Sequence, residues 1–320
     1  MQLARALLAF LAFAAALTGR AAERSVERVF AVEPGGLLAI DTHRGAIIIT
    51  ESDQPQITVA VRLEIGADDE AEADRMAAGL RLDFRQEGNT VSVFARNPPE
   101  SVRWHWEDKK QIDLTYRVSV PRRTDVELKN ILGSITVGNL EGRMAAQLDT
   151  GTIFFRAITG SVEARVSSGE IIVSRCSGAL TAQIQEGLLR IGTVGGPMKL
   201  RNGSGDIEIG SAGGPVEART AAGNIFVSFP REIGGPADIL SSGGNVIATL
   251  APEAVCRIEA STTWGKITNQ LPLAIEAGGN NSRKLFGRLN GGTTPLVLRA
   301  HGGYLKLEQG WPQFDGPRIE

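Results

Sequence analysis

Residues 133–186 read GSITVGNLEGRMAAQLDT GTIFFRAITGSVEARVSS GEIIVSRCSGALTAQIQE, which is three successive units of 18 residues that each begin with glycine. The same spacing continues further along the chain in two glycine series. The first series is Gly133, Gly151, Gly169, Gly187, Gly205 and Gly223, and the second, nine residues on, is Gly142, Gly160, Gly178, Gly196 and Gly214. The interval then widens to 21 residues, through Gly244 and Gly265. A fixed period of this length is the signature of a repeat architecture.

Each unit is predicted to contain two short strands and two tight turns, because apolar and polar residues alternate after each glycine. One unit cannot bury its apolar face alone, whereas stacked units can. We therefore expect an all-β fold, either a β-solenoid or a flattened two-sheet β-roll, with coils of 18–21 residues. About eight coils stacked about 4.8 Å apart would make a rod of about 40 Å. The predicted inward rows are Ile135, Ile153, Ile171, Leu189, Ile207 and Ile225 in the first strand and Met144, Val162, Leu180, Met198 and Val216 in the second.

The N-terminal region contains the same unit once and then departs from it. Two apolar runs that begin at Gly36 and Gly45 are nine residues apart and match a first coil. The insertion that follows is of the α+β type, with one helix predicted over residues 68–80, because acidic residues at a helix start are stabilised by its dipole. We expect this insertion to cover one end of the array and the tail Trp311–Phe314 to help cover the other, because exposed strand edges invite unwanted pairing.

The first residues have the pattern of an export signal. Arg5 precedes an apolar run of 12 residues, which is shorter than a membrane span, and small residues precede a cleavage point after Ala21. The expected organisation is a signal peptide at 1–21, an N-terminal α+β part at 22–125 and a repeat array with its capping tail at 126–320. Export to the periplasm, the cell surface or the medium is expected, with no transmembrane helix in the mature chain.

Composition excludes several functional classes. A formal net charge of −2 does not favour a nucleic-acid partner. His43, His105 and His301 lack metal-ligand spacing, and the units do not repeat the aspartate of calcium-binding nonapeptides, so no metal and no cofactor are expected. Cys176 and Cys256 are predicted to pack in the core about four coils apart, roughly 19 Å, which is too far for a disulfide.

Several segments carry a family resemblance. FAVEPGGLLAIDTHRGAIIIT at 30–50, a short acidic helix, YRVSVPRRTDVELKNILGSITVGNLEG at 116–142 and the Gly-x-Ile-x-Val ladder resemble the bacterial putative-adhesin domain family of unknown function. The resemblance covers roughly 28–307. It implies β-strand repeats in an exported protein, and its motif contains no catalytic residue.

Two groups of residues are candidate ligand contacts. Trp104 and Trp106 flank His105 in a charged loop, where an exposed aromatic pair can stack on a sugar or a partner protein, although the same rings can instead pack on the insertion. Arg165, Arg201 and Arg219 belong to an outward row of the second strands that can contact an anionic glycan or a lipid headgroup. The alternative for this row is a solvated face with Glu–Arg pairs between coils.

The sequence as a whole favours a binding protein over an enzyme. It contains no Gly-x-Ser-x-Gly nucleophile motif, no paired carboxylates typical of glycosidases and no phosphate-binding glycine loop before a helix. We expect an exported, non-enzymatic, adhesin-like or envelope scaffold module whose partner is an envelope glycan or a surface protein. A β-helix-type carbohydrate-active enzyme is the alternative, and a self-associating structural element is a third hypothesis.

Overall fold

The computed structural model describes residues 22–96 and 112–311, which form 23 β-strands and one α-helix. The N-terminal elements are β1 (Ala22–Ala31), β2 (Gly36–Asp41), β3 (Arg44–Ser52), β4 (Gln56–Ile65), α1 (Glu70–Gly79), β5 (Arg81–Glu87), β6 (Thr90–Arg96) and β7 (Ile112–Pro121). The regular central elements are β8 (Thr124–Glu141), β9 (Met144–Thr159), β10 (Val162–Cys176), β11 (Leu180–Val194), β12 (Met198–Ser204), β13 (Ile207–Ala212), β14 (Val216–Ala222) and β15 (Ile225–Phe229).

The C-terminal elements are shorter. They are β16 (Ala237–Ser241), β17 (Val246–Leu250), β18 (Cys256–Thr262), β19 (Ile267–Asn269), β20 (Ala274–Asn281), β21 (Lys284–Leu289), β22 (Pro295–Ala300) and β23 (Leu305–Gln309).

Most strands stack in parallel into two faces of a β-solenoid, as the 18-residue period predicts, and antiparallel strands are added at both ends. The face called sheet 1 has the order β5, β6, β2, β8, β9, β10, β11, β12, β14, β16, β22, β18, β21, β20. The face called sheet 2 has the order β1, β4, β7, β3, β8, β9, β10, β11, β13, β15, β17, β23, β19. Strands β8 to β11 are long enough to bend round the corner and contribute to both sheets.

The register confirms the predicted rows. Ile153 pairs with Ile135 on one side and with Ile171 on the other, so equivalent residues of successive coils are direct neighbours. These inward side chains are fully buried, and opposite them the sheet 1 row of Met144, Val162 and Leu180 is buried as well. These two apolar rows fill the core between the two sheets.

The described residues contain eleven two-strand layers, where about eight coils were expected for the repeat array. Two of the eleven precede that array. They are the first coil, β2 with β3, and a complete layer of β6 with β7, which were assigned to the insertion and pair with β2 and β3. At the other end, β18 with β19 and β22 with β23 form two layers, and Gly265 of the glycine series lies just before β19.

The chain path skips a layer at both ends of the rod. At the N-terminal end, β6 and β7 form the outermost parallel layer, and the chain then crosses to the far side of β2 and β3 to begin β8. At the C-terminal end, the chain continues from β17 to β18 and β19, which form the outermost parallel layer and are not paired with β16 and β17. The chain then returns, and β22 and β23 form the layer between these two. The last strand of the described chain is therefore an interior strand.

Glycine corners allow the coils to stack at this spacing. Gly169 has a φ of +139°, and a Cβ built on it would lie 1.9 Å from the carbonyl oxygen of Gly151 in the preceding coil. Any larger residue would have to displace backbone there, in addition to adopting a backbone conformation that L-residues rarely take.

Polar side chains satisfy the carbonyl groups at these corners. Asn202 donates to the carbonyl oxygen of Gly187 at 2.9 Å, and Ser241 donates to that of Gly223 at 2.7 Å. Both side chains are buried at the end of an inward row. The corners are therefore held by side chains from inside the coil as well as by backbone pairing.

Both ends of the core are covered. Helix α1 begins after Asp69, whose carboxylate accepts from the backbone N–H of Glu72 at 2.7 Å, so the helix is two residues shorter than predicted at its start. Its Ala73 is buried in the core. At the C-terminal end, Leu271 and Leu285 are buried, whereas Trp311 is 58% exposed. Phe314, the other end of the proposed capping tail, lies outside the described residues.

Replacing Gly169 with alanine is expected to destabilise the protein by more than about 3 kcal/mol, because a strained φ alone costs of order 1–3 kcal/mol and the new Cβ also meets backbone. Gly88→Ala is the matched control, since Gly88 has a φ of +57° but nothing within 4 Å of a Cβ. We expect that variant to lose only about 1–2 kcal/mol. Urea unfolding of both variants measures the difference, and equal losses would contradict the stacking role of the corner.

Stability is expected to fall at high pH because of Tyr116. Burial raises the pKa of this phenol to about 12, opposed by its 2.9 Å hydrogen bond with Thr42. Because the folded pKa is raised, the stabilisation is complete below the unfolded value near 10 and is lost as the pH rises towards 12. Wild type should lose about 2 kcal/mol more than Tyr116→Phe between about pH 9 and 12, as measured by urea unfolding. Identical pH profiles would refute this assignment.

Candidate functional site

The outer face of sheet 2 departs from simple alternation. In several units the strand contains three consecutive apolar residues, so that the middle side chain points outward. Phe154 and Ile172 are such residues, and both are nevertheless buried, at 8% and 6% exposure. The register places one residue from each of the eleven layers in this outer row, which contains Arg117, Ile48, Thr136, Phe154, Ile172, Arg190, Glu208, Phe226, Ile247, Lys306 and Thr268.

A shallow groove of about 670 Å³ lies over the C-terminal part of this row. Its apolar lining includes Phe226, Ile247 and Tyr304, and the two aromatic rings are 38% and 46% exposed. The adjacent outer row has the short residues Gly210, Ser228 and Thr249 in three layers and Glu308 in the next. The short side chains leave the space above their strands open.

The charged side chains of the groove balance one another. Arg190 lies between two carboxylates, 2.9 Å from Glu208 and 3.5 Å from Glu170. Lys306 forms an ion pair with Glu308, and this hydrogen bond raises the pKa of the lysine. The lining thus contains two cations, Arg190 and Lys306, and two anions, Glu208 and Glu308, for a net charge of zero. The groove offers charged hydrogen-bonding groups without an electrostatic preference for a charged ligand.

The three candidate arginines lie where the repeat predicts. Arg165, Arg201 and Arg219 occupy one outer row of sheet 1. Each is close to a carboxylate of the neighbouring outer row. Arg165 forms an ion pair with Glu163, Arg201 lies 3.8 Å from Glu217, and Arg219 lies 3.2 Å from both Glu217 and Asp238. The row is therefore a ladder of ion pairs along the rod, and its predicted ligand contact stays a prediction.

The other candidate, the pair Trp104 and Trp106, lies outside the described residues. Sequence reasoning missed the groove of sheet 2 because it followed only the inward rows of the first strands. The signal was present in the runs IFF, IIV and IFV at 153–155, 171–173 and 225–227, where a third apolar residue interrupts the period of two. The contribution of Tyr304 had no such signal, because β23 reaches its layer only through the skipped chain path.

The described residues contain neither a metal-binding cluster nor a membrane-spanning helix. Within residues 22–96 and 112–311, no group of three or more His, Cys, Asp or Glu side chains is arranged to hold a metal ion. The single helix of that part of the chain is too short and too polar to cross a bilayer.

Both cysteines are free and buried. Cys176 lies in the fifth layer and Cys256 in the eleventh, so six layers separate them, about 29 Å at the strand spacing. The expected separation of four coils is wrong because the chain skips a layer, but the absence of a bridge agrees with the larger distance. Burial raises the pKa of both thiols, that of Cys256 to about 12.

Comparison with known proteins gives one family and several similar structures. The family model described as Toastrack DUF4097 matches residues 37–303. No curated protein matches the sequence.

Three solved structures are similar to this chain. A "putative adhesin" from Bacteroides fragilis is 13% identical, with a TM-score of 0.45, covering 91% of this chain and 99% of its own. A "putative adhesin" from Parabacteroides merdae is 11% identical, with a TM-score of 0.40, covering 89% and 96%. A "putative lipid binding protein" from Parabacteroides distasonis is 12% identical, with a TM-score of 0.34, covering 88% and 96%.

The buried thiols are expected to be unreactive in the folded protein. Because burial holds Cys176 and Cys256 protonated and out of solvent, a thiol reagent at about pH 8 should label neither of them. Both should be labelled at once when the protein is unfolded in denaturant. Fast labelling of either residue under native conditions, followed by mass spectrometry, would contradict the packing described for it.

Proposed function

This chain belongs to the Toastrack DUF4097 family, and from that premise we propose that it is an exported, non-enzymatic, adhesin-like module of the cell envelope. Its ligand is a neutral glycan, bound in the groove of sheet 2. The observation that carries this proposal is the groove itself, where exposed aromatic rings and internally paired charges lie side by side on a rigid face.

The chemistry of the groove suits a sugar. The rings of Phe226 and Tyr304 offer apolar faces for the CH surfaces of a pyranose, and aromatic anchors dominate the energetics of many binding surfaces. Arg190, Glu208 and Lys306 offer donors and acceptors for hydroxyl groups along the rim. Because these charges cancel, a charged ligand gains little from the groove, and a neutral one loses little by entering it.

The scaffold favours binding of an extended chain. Successive layers present equivalent positions about 4.8 Å apart along a straight face. Parallel pairing on both sides holds each groove strand in place. A linear polymer lying along the rod therefore meets a preorganised surface, which reduces the entropy lost on binding.

The two surfaces proposed from sequence remain competitors for the same function. The arginine row of sheet 1 would favour an anionic glycan, although each arginine already has a carboxylate partner. The Trp104–Trp106 pair would supply an aromatic clamp. These alternatives predict different ligands or different sensitive residues, so one set of variants separates them.

The double variant Phe226→Ala/Tyr304→Ala should lose at least tenfold in affinity for neutral oligosaccharides, because two aromatic anchors are worth more than about 1.4 kcal/mol together. The measurement is titration with glucose and N-acetylglucosamine oligomers, after an array of neutral glycans has identified the better probe. Trp264→Ala is the matched aromatic control, since Trp264 is 79% exposed and lies outside the groove lining. It should bind like wild type.

Results with the competing surfaces complete the test. If Trp104→Ala/Trp106→Ala or Arg165→Ala/Arg201→Ala/Arg219→Ala abolished binding while the groove variant did not, the glycan would bind elsewhere and the groove proposal would fail. Release of reducing sugar ends during incubation with the bound polymer would contradict the non-enzymatic part. Fractionation of cells expressing the full chain tests export, with retention in the cytoplasm as the contrary result.

A further inference from the structure

Two turns meet at the C-terminal corner of the rod. The turn from β18 to β19 carries Trp264 and Lys266. The hairpin turn from β20 to β21 carries Arg283, and Lys284 is the first residue of β21. Backbone hydrogen bonds join the turns, from the N–H of Thr262 to the carbonyl oxygen of Arg283 at 3.0 Å and from the N–H of Ile267 to that of Ser282 at 2.9 Å. We call the four side chains Trp264, Lys266, Arg283 and Lys284 the basic corner.

The hairpin turn has a defined shape. The side-chain oxygen of Asn281 accepts from the backbone N–H groups of Arg283 and Lys284, both at 2.8 Å. Lys284 lies next to Ser261 at the edge of sheet 1, and Lys266 lies on the sheet 2 side, where its carbonyl oxygen accepts from Leu305 at 3.0 Å. The cations therefore lie around one corner of the solenoid rather than along one strand.

The three cations of the basic corner differ from most other basic residues of the rod. Among residues 22–96 and 112–311, neither Lys266 nor Arg283 nor Lys284 has a carboxylate within ion-pair distance. By contrast, nearby Arg257 and Arg288 both pair with Glu276, at 3.0 and 2.7 Å. A cluster of three positive charges stands out on a chain with a formal net charge of −2.

An exposed indole ring belongs to the same turn as Lys266. Trp264 is 79% exposed, the highest value among the exposed large apolar side chains. An isolated exposed ring of this size contributes nothing to the core. Tryptophan beside lysine and arginine is the combination enriched where proteins meet the headgroup region of a membrane, because the ring is amphipathic and the long cationic side chains reach phosphates.

We propose that the basic corner docks the C-terminal end of the rod on an anionic phospholipid surface. Lys266, Arg283 and Lys284 lie against lipid phosphates, and Trp264 enters the headgroup layer. The four residues belong to two joined turns and are all exposed, and an extended charged surface can contact all four side chains at once. This inference is independent of the glycan groove and adds a membrane contact to it.

Vesicle co-sedimentation of the full chain tests the proposal. Vesicles of phosphatidylglycerol mixed with phosphatidylcholine should bind the protein, and phosphatidylcholine alone should bind it far more weakly. The variant Lys266→Glu/Arg283→Glu/Lys284→Glu should lose at least about a hundredfold in affinity, since each cation near an anionic surface contributes about fivefold. Binding of wild type should also weaken between about 0.1 M and 1 M salt, because salt screens exposed charges.

A matched variant controls for net charge. Arg175, Lys199 and Arg231 are exposed cations at other places on the rod, and within the described part of the chain they too have no ion-pair partner. Arg175→Glu/Lys199→Glu/Arg231→Glu changes the total charge equally and should retain most of the vesicle binding. The single variant Trp264→Ala, which leaves the charges intact, should bind several-fold more weakly and guards against a folding defect in the triple variant.

Several results would overturn the proposal. They are equal losses in the two triple variants, equal binding to both kinds of vesicle, or binding of inorganic phosphate at the corner without binding of anionic vesicles. The groove variant Phe226→Ala/Tyr304→Ala should keep its vesicle binding, and the corner variant should keep its glycan binding. Failure of the membrane contact is thus distinguishable from failure of the glycan site.

Discussion

The whole architecture depends on how closely the backbone of one coil approaches that of the next at the corners. At Gly169 and Gly151 the backbones of two successive coils are so close that a Cβ on Gly169 would overlap the carbonyl oxygen of Gly151. Hydrogen bonds between parallel strands set the spacing of the coils along both sheets, and the corner must accept that spacing without a side chain. The inward rows, the outward rows and the long ladders of paired charges all follow from coils that superpose residue on residue.

The sequence was informative wherever this constraint repeats, and uninformative where the chain leaves the repeat. The period of 18 correctly predicted the inward rows of Ile153 and Ile171 and the single row formed by Arg165, Arg201 and Arg219. It could not reveal that β22 and β23 lie between the layer of β16 and β17 and the layer of β18 and β19. Pairing between strands far apart in the sequence leaves no signal in the local spacing of residues. The number of layers was underestimated for this reason and because β6 and β7 of the insertion form a layer of their own. The skipped layer also adds to the distance between the two cysteines.

The candidate site shows the same division. Phe226 and Ile247 interrupt the alternation in their strands, so the sequence does contain the evidence that apolar side chains lie on the outer face of sheet 2. Tyr304 reaches the groove only through the return of the chain, and Lys266 lies near Arg283 only because a hairpin folds against the last corner. Local pattern therefore identifies half of the groove, while its completion and the basic corner depend on contacts between segments far apart in the sequence.

The return of the chain at the C-terminal end also determines how the rod responds to force. In a simple solenoid, a pull on the terminal strand peels one edge and breaks hydrogen bonds one after another. Here the last described strand, β23, is paired on both sides, with β17 and with β19. A load applied at the C-terminus must shear two ladders at once before any layer can leave. Under load, the C-terminal end of the described chain therefore resists peeling in the same way as an interior strand.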